Sequence, residues 1–196
     1  MKGERGLKYD IILAGVGGQG VLSLSGIIAA AALQEGLAVK QSEVHGMSQR
    51  GGAVVANLRM DATSVASDLV PVGGASMVLS MEPLESLRYL RYLSPAGAVV
   101  SSTDPVRNIP DYPEIDRVLQ AIRSLPRAVL IDGERVARAA GSARAANMAL
   151  IGAASALLPL KRETLERCIA ERFASKGPAV VALNLKAFQA GREAAA

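Results

Sequence analysis

A glycine-rich segment near the N-terminus has the spacing that most directly suggests ligand chemistry. Residues 15–20, Gly-Val-Gly-Gly-Gln-Gly, separate the apolar segment 9–14 from a run of small apolar residues typical of a helix. Glycine permits a tight turn and lets backbone N–H groups at a helix N-terminus approach a phosphate. The sequence therefore predicts a nucleotide or anion loop here, with a tight turn that binds nothing as the alternative. The predicted cofactor-binding residues are Gly15, Gly17, Gly18, Gln19 and Gly20.

A second polar segment, residues 42–52, combines several chemically useful side chains between two apolar runs. It contains the only histidine of the chain, His45, together with Glu43, Arg50 and three glycines. Histidine titrates near neutral pH, and a guanidinium can grip a carboxylate or phosphate through two hydrogen bonds. We therefore take His45, Arg50 and Glu43 as catalytic candidates, although a salt bridge between Arg50 and Glu43 would equally well shape the loop. In segment 42–52, the residues predicted to face the substrate or a partner are Met47, Ser48, Gln49, Gly51 and Gly52.

A third polar position, Glu82, follows the apolar segment 76–81. It is predicted either to face the substrate or to interact with the start of a helix at Pro83, where proline is well tolerated. Loops at the carboxyl ends of parallel strands form the binding edge of an open sheet. Segments 15–20, 42–52 and 80–82 are therefore expected side by side.

Strand-like and helix-like segments, which must position these loops, alternate along the chain. This alternation predicts an α/β fold. The expectation is a single three-layer domain over residues 1–196, ordered from about 8 to 192, with a mostly parallel, Rossmann-like sheet. Segment 53–59 is expected as an added strand near the sheet edge. Predicted strands cover 9–14, 37–41, 53–59, 76–81, 97–102 and 128–131; predicted helices cover 20–35, 83–93, 114–124, 134–140, 145–157, 161–174 and 179–191.

Composition limits what the chain can do alone. It has 196 residues, 50% of them hydrophobic, and one cysteine. A [4Fe–4S] cluster normally needs four thiolates, and Cys168 falls on the apolar stripe of a predicted helix. The sequence shows no metal-ligand spacing and no hydrolytic triad, so no bound metal is predicted. Asn147 and Asn184 are expected to cap or brace turns through their side-chain amides.

Charge and hydropathy bear on partners and location. The net charge of +4 is spread among acidic residues, and only 3% of the residues are aromatic, which disfavours nucleic-acid binding. The sequence shows no signal peptide and no apolar run long enough to span a membrane, so a cytoplasmic location is expected.

Several motifs, taken in their order along the chain, resemble those of one known family. The glycine loop and Glu43-Val44-His45-Gly46-Met47-Ser48-Gln49-Arg50-Gly51-Gly52 are similar to the gamma-type domain of 2-oxoacid:acceptor oxidoreductases. Within that family, the second motif most resembles the beta subunits of indolepyruvate ferredoxin oxidoreductases. The resemblance extends through Asp68-Leu69-Val70-Pro71, Glu82-Pro83-Leu84-Glu85, Asn147 before Gly152, and Asn184-Leu185-Lys186-Ala187-Phe188.

The resemblance implies that the chain is one subunit of a larger enzyme. Thiamine diphosphate and iron–sulfur clusters would be held by an alpha subunit, and the complex would convert a 2-oxoacid and coenzyme A to an acyl-CoA while reducing ferredoxin. Indolepyruvate or another aryl 2-oxoacid is the implied substrate, with other keto acids as alternatives. The chain alone would bind no cofactor and be inactive. Two other hypotheses are a stand-alone dinucleotide- or flavin-binding redox protein and a non-catalytic assembly subunit.

Overall fold

The protein folds into alternating strands and helices in the computed structural model, which describes residues 6–45 and 51–195. The strands are β1 (Lys8–Val16), β2 (Ala38–His45), β3 (Ala53–Asp61), β4 (Ala75–Ser80), β5 (Leu93–Ser102) and β6 (Ala128–Ile131). The helices are α1 (Val21–Gln34), α2 (Pro83–Arg88), α3 (Ile115–Arg123), α4 (Gly133–Ala140), α5 (Ala146–Ala154), α6 (Arg162–Phe173) and α7 (Pro178–Ala194). In the described part of the chain, no helix is both long and apolar enough to cross a membrane.

The strands form one six-stranded sheet in the order β2-β3-β1-β4-β5-β6. Strands β1, β4, β5 and β6 pair in parallel, whereas β3 is antiparallel to both of its neighbours. The mostly parallel sheet is therefore confirmed, and β3 is the added strand, second from the edge. Its nine-residue register with β1 runs from Lys8 opposite Asp61 to Val16 opposite Ala53.

Helices cover both faces of the sheet, which confirms the three-layer architecture. Alternate residues of β1 point to opposite faces. Ile11 and Leu13 belong to a large core that includes buried residues of α1, α4, α5, α6 and α7. Ile12 belongs to a smaller core on the opposite face, which includes α3 and Val70.

An ion pair joins the first and third strands and secures the segment that follows β3. The Asp10 carboxylate, almost fully buried, accepts hydrogen bonds from Nε and Nη2 of Arg59 at 3.0 and 3.1 Å. Nη1 of Arg59 donates to the carbonyl oxygens of Ser67 and Leu69. This contact holds segment 62–74 over the β2–β3 end of the sheet.

The structure changes several of the expected boundaries. Strand β1 continues to Val16, so Gly15 is in the strand and the loop is residues 17–20. Strand β2 continues to His45 because residues 42–45 pair with residues 54–57 of β3, so this part of the expected loop is strand. Helix α2 ends at Arg88, and a 3-10 turn at 90–92 leads into β5.

Two glycines allow α5 and α7 to pack with their backbones almost in contact. A Cβ at Gly152 would lie 1.9 Å from the carbonyl oxygen of Phe188, and a Cβ at Gly191 would lie 1.9 Å from that of Ala149. Real Cβ atoms cannot approach an oxygen so closely. Side chains at these two positions would therefore force the helices apart.

We predict that Gly152→Ala lowers the free energy of unfolding by about 3 kcal/mol, because the added methyl overpacks this contact. Gly26→Ala in α1 is the matched control, since a Cβ added there would meet no atom within 4 Å. That change should stabilise the protein by about 0.5 to 1 kcal/mol through helix propensity. Urea unfolding of the three proteins measures both values, and equal stability of Gly152→Ala and the wild type would contradict the packing argument.

Candidate functional site

The glycine loop turns sharply between β1 and α1. Gly18 and Gly20 have φ angles of +102° and +87°, which L side chains rarely adopt. Helix α1 begins at Val21, and its N-cap, Gly20, offers no side-chain hydrogen bond. As a glycine, the N-cap gives the first N–H groups of α1 no side-chain partner, which suits an anion site at a helix start.

The Gln19 side chain holds this loop in shape. Its Oε1 accepts a hydrogen bond from the Val16 N–H at 2.8 Å, and its Nε2 donates to the Met81 carbonyl oxygen at 3.1 Å. The amide thus joins the loop to the end of β4, a role that the glycine pattern does not indicate. Gly15 lies under this bridge, where a Cβ would be 2.8 Å from Cγ2 of Val21.

The expected meeting of the first two loops is found at the turn formed by Gly51 and Gly52. The Gly17 N–H donates to the Gly52 carbonyl oxygen at 2.8 Å, and the Gly51 N–H donates to the Gly17 carbonyl oxygen at 3.4 Å. The 51–52 turn and the glycine loop are thus in direct backbone contact.

The remaining predicted residues of the second motif are only partly described. Glu43 is exposed on the edge strand β2, opposite Ala56. The backbone of His45 pairs with Val54 at the end of the same strand. Outside the described residues lie Met47, Ser48, Gln49 and Arg50.

Glu82 is a buried anchor at the start of α2, which confirms the interpretation of this residue as a helix-start carboxylate. Its side chain is 1% exposed, and Oε2 accepts a hydrogen bond from the Glu85 N–H at 2.8 Å. Oε1 accepts from the Val106 N–H at 3.3 Å and from the Tyr112 hydroxyl. Glu82 therefore ties α2 to residues 103–113, which we call the strap. Burial, and then the hydrogen bond to Glu82, raise the pKa of the Tyr112 hydroxyl.

A cavity of about 620 Å³ opens at the carboxyl edge of the sheet, beside the glycine loop. One wall is formed by residues 18–20 and Met81, and a second by residues 104–106 of the strap. Helices α4 and α5 and the turn before α5 close the remaining side with Glu134, Ala143, Arg144, Ala146, Asn147 and Leu150.

The cavity lining includes polar groups of both charges. Arg144 is exposed, and Nδ2 of Asn147 lies 3.1 Å from the position of a Cβ on Gly20, next to the start of α1. On the strap, Asp104 Oδ2 accepts hydrogen bonds from the Ser102 hydroxyl at 2.7 Å and the Glu134 N–H at 2.9 Å. The cavity lining thus carries one cationic side chain, the Asn147 amide and the carboxylates of Asp104 and Glu134, and the Glu134 carboxylate also pairs with Arg138 at 3.1 Å.

Sequence reasoning missed the strap and Arg144 as parts of the site. The strap contains three prolines and reads only as a loop, and Arg144 stands in no recognisable motif. The two asparagines of the motifs have local roles. Asn147 Oδ1 accepts from the Met148 N–H, and Asn184 Nδ2 donates to the Val180 carbonyl oxygen inside α7.

Residues 10–194 match the protein family described as "Pyruvate ferredoxin/flavodoxin oxidoreductase". The chain belongs to this family. Over 194 residues, covering 94% of each chain, it is 37% identical to a protein of Archaeoglobus fulgidus named "Indolepyruvate oxidoreductase subunit IorB".

Solved structures of this oxidoreductase family agree in fold. The keto/oxoacid ferredoxin oxidoreductase gamma subunit from Geobacter sulfurreducens superposes with a TM-score of 0.69 at 27% identity, covering 95% of this chain and 98% of that one. The 2-oxoglutarate:ferredoxin oxidoreductase from Magnetococcus marinus, solved with 2-oxoglutarate, coenzyme A and succinyl-CoA bound, gives a TM-score of 0.76 at 24% identity. The match covers 96% of this chain and 31% of that longer polypeptide. Relatives of this chain are thus subunits or segments of larger 2-oxoacid oxidoreductases.

Glu85, the residue that donates its N–H to Glu82, introduces a pH dependence of stability. It is 3% exposed, its Oε1 pairs with Nε of Arg88, and its Oε2 has no hydrogen-bond partner among the described residues. Burial raises the pKa of this carboxyl above its ordinary value, while Arg88 opposes the shift. The native state therefore keeps the proton to higher pH than the unfolded state does.

We predict that ionisation of the Glu85 carboxyl lowers the free energy of unfolding as pH rises. Its favourable contribution is complete below the unfolded pKa, near 4.5, and is lost as pH rises through the raised native pKa. Glu85→Gln cannot titrate, so its stability relative to the wild type should increase between about pH 4 and pH 7. Denaturant unfolding across this range tests the trend, with the exposed Glu163→Gln as control; a difference that does not vary with pH would contradict it.

Proposed function

We propose that this chain is the subunit that completes the active site of a thiamine-diphosphate- and ferredoxin-dependent 2-oxoacid oxidoreductase acting on indolepyruvate or another aryl 2-oxoacid. The observation that carries the proposal is the 37% identity, over nearly the full length, to a protein named as an indolepyruvate oxidoreductase subunit. The reaction converts a 2-oxoacid and coenzyme A to an acyl-CoA and carbon dioxide. The electron pair released by oxidation passes to ferredoxin.

The redox and decarboxylation groups belong to a partner subunit in this proposal. The chain has one cysteine, Cys168, which is buried in the core on α6. Four thiolates are normally needed for each [4Fe–4S] cluster, so the residues present do not fit one. Thiamine diphosphate, when bound to the partner, supplies the stabilised carbanion that permits decarboxylation. This chain contributes binding and orientation.

Coenzyme A fits the chemistry of the cavity. Its phosphates require cationic and N–H donors, which Arg144, Asn147 and the start of α1 after its glycine N-cap can supply. Hydroxyl and amide groups of the ligand can donate to the Asp104 carboxylate, which also lines the cavity. The glycine loop would thus serve the acyl acceptor, while residues 42–52 face the 2-oxoacid in the partner's site, with His45, Arg50 and Glu43 as the candidate residues.

Reconstitution with a thiamine-diphosphate-binding partner subunit tests the proposal. We expect activity with indolepyruvate, coenzyme A and ferredoxin only in the complex. Specific, tight binding of NAD(H), NADP(H) or a flavin to the isolated chain would instead favour a stand-alone redox protein.

We predict that Arg50→Ala lowers kcat/KM about a hundredfold in the complex, because a charge-assisted contact in a partly desolvated site contributes on the order of 2–3 kcal/mol. The loss of stability should be about 1 kcal/mol or less. Arg50→Lys should restore activity only in part, since an ammonium lacks the planar fork. Normal kinetics combined with a lowered melting temperature or complex yield would assign Arg50 to scaffolding.

The position of coenzyme A is tested by Arg144→Ala. Loss of one cationic contact to a phosphate should raise the KM for coenzyme A about tenfold and leave kcat nearly unchanged, because the contact is made equally in the ground and transition states. Arg172→Ala, an exposed arginine near the end of α6, is the matched control. An unchanged KM for coenzyme A in Arg144→Ala would remove coenzyme A from this cavity.

A further inference from the structure

The strap is fixed at its beginning beside the cavity. The Asp104 carboxylate links it to Ser102 at the end of β5 and to the first turn of α4 through the Glu134 N–H. Asp104, Pro105 and Val106 then form one wall of the cavity. The beginning of the strap therefore cannot shift without changing the shape of the cavity.

The middle and the end of the strap are both hydrogen-bonded to one buried carboxylate. Glu82 Oε1 accepts hydrogen bonds from both the Val106 N–H and the Tyr112 hydroxyl, and its Oε2 is fixed by the start of α2. Asn108 lies between these two attachment points, and its N–H donates to the Val106 carbonyl oxygen at 2.8 Å. Glu82 thus sets the position of Asn108.

Asn108 reaches from the strap to the 51–52 turn. Its Nδ2 donates to the Gly51 carbonyl oxygen at 2.6 Å, while the same turn makes two backbone hydrogen bonds with Gly17 of the glycine loop. The strap and the glycine loop line the cavity from two sides. A continuous series of hydrogen bonds, through Asn108, the 51–52 turn and Gly17, connects these two walls.

We propose that Asn108 is a positioning residue that, held by Glu82, fixes the separation between the glycine loop and the strap and so sets the fit of the cavity to its ligand. The identity of that ligand as coenzyme A rests on the proposed function, whereas the connection between the walls does not. Asn108 stands outside the cavity lining and acts through the turn. Ligand bound between the walls would, in return, make the 51–52 turn more rigid.

Amide hydrogen exchange on the full chain tests the connection without any assay of activity. In Asn108→Ala, the Gly17 and Gly51 amides should exchange about fivefold faster than in the wild type, as expected for the loss of one hydrogen bond that stabilises the closed arrangement. Tyr112→Phe removes only a hydroxyl and should accelerate the same amides. Asp111→Ala, exposed on the same strap, is the matched control and should leave them unchanged. Unchanged Gly17 and Gly51 exchange in both Asn108→Ala and Tyr112→Phe would overturn the proposal.

Kinetics in the reconstituted complex separate this proposal from the proposed function. Asn108→Ala should raise the KM for coenzyme A about fivefold with kcat nearly unchanged, and Asn108→Gln, which keeps an amide donor, should recover part of the affinity. If Arg144→Ala raises this KM and Asn108→Ala does not, the positioning role of Asn108 is wrong although coenzyme A binds as proposed. If Asn108→Ala accelerates amide exchange and Arg144→Ala leaves the KM unchanged, the connection holds and the choice of ligand is wrong.

Discussion

The buried carboxylate of Glu82 is the interaction on which the carboxyl edge of the sheet depends. Burial of a carboxylate is costly unless its oxygens are hydrogen-bonded. Here both oxygens are engaged, one with the start of α2 and the other with the strap. The residue before it, Met81, accepts a hydrogen bond from the Gln19 amide of the glycine loop. Segment 81–82 therefore connects the glycine loop, α2 and the strap. The engagement of both oxygens also leaves Glu82 little capacity to bind a substrate.

The fold could be predicted from the sequence because its signals are local and mutually consistent. The strands and helices of the described residues lie where apolar periodicity and the Gly and Pro positions place them. The prediction is least accurate at Ser42–His45, where polar residues read as loop, because pairing with β3 is a long-range effect that periodicity does not register.

The candidate site could be predicted only in part. The glycine loop, the 51–52 turn and Glu82 do converge, since strand order brings the carboxyl ends of β1 and β4 together. Asp104, Asn108 and Tyr112 carry no motif, and their roles arise from contacts with residues 30 to 57 positions away in the chain. Some of the motifs that resemble the family contribute to helix packing. Asn147 to Gly152 and Asn184 to Phe188, for example, belong to the two helices whose backbones meet at Gly152.

The pairing of the antiparallel strand β3 with its neighbours does not depend on the loop that precedes it. Strand β3 is held by β1 through nine residue pairs and by β2 through eight, so its register is set independently of the segment that joins it to β2. Insertions or deletions between His45 and Gly51 can therefore be absorbed without displacing a strand. A family built on this scaffold can vary the length and chemistry of that segment while the core sequence stays under a separate constraint.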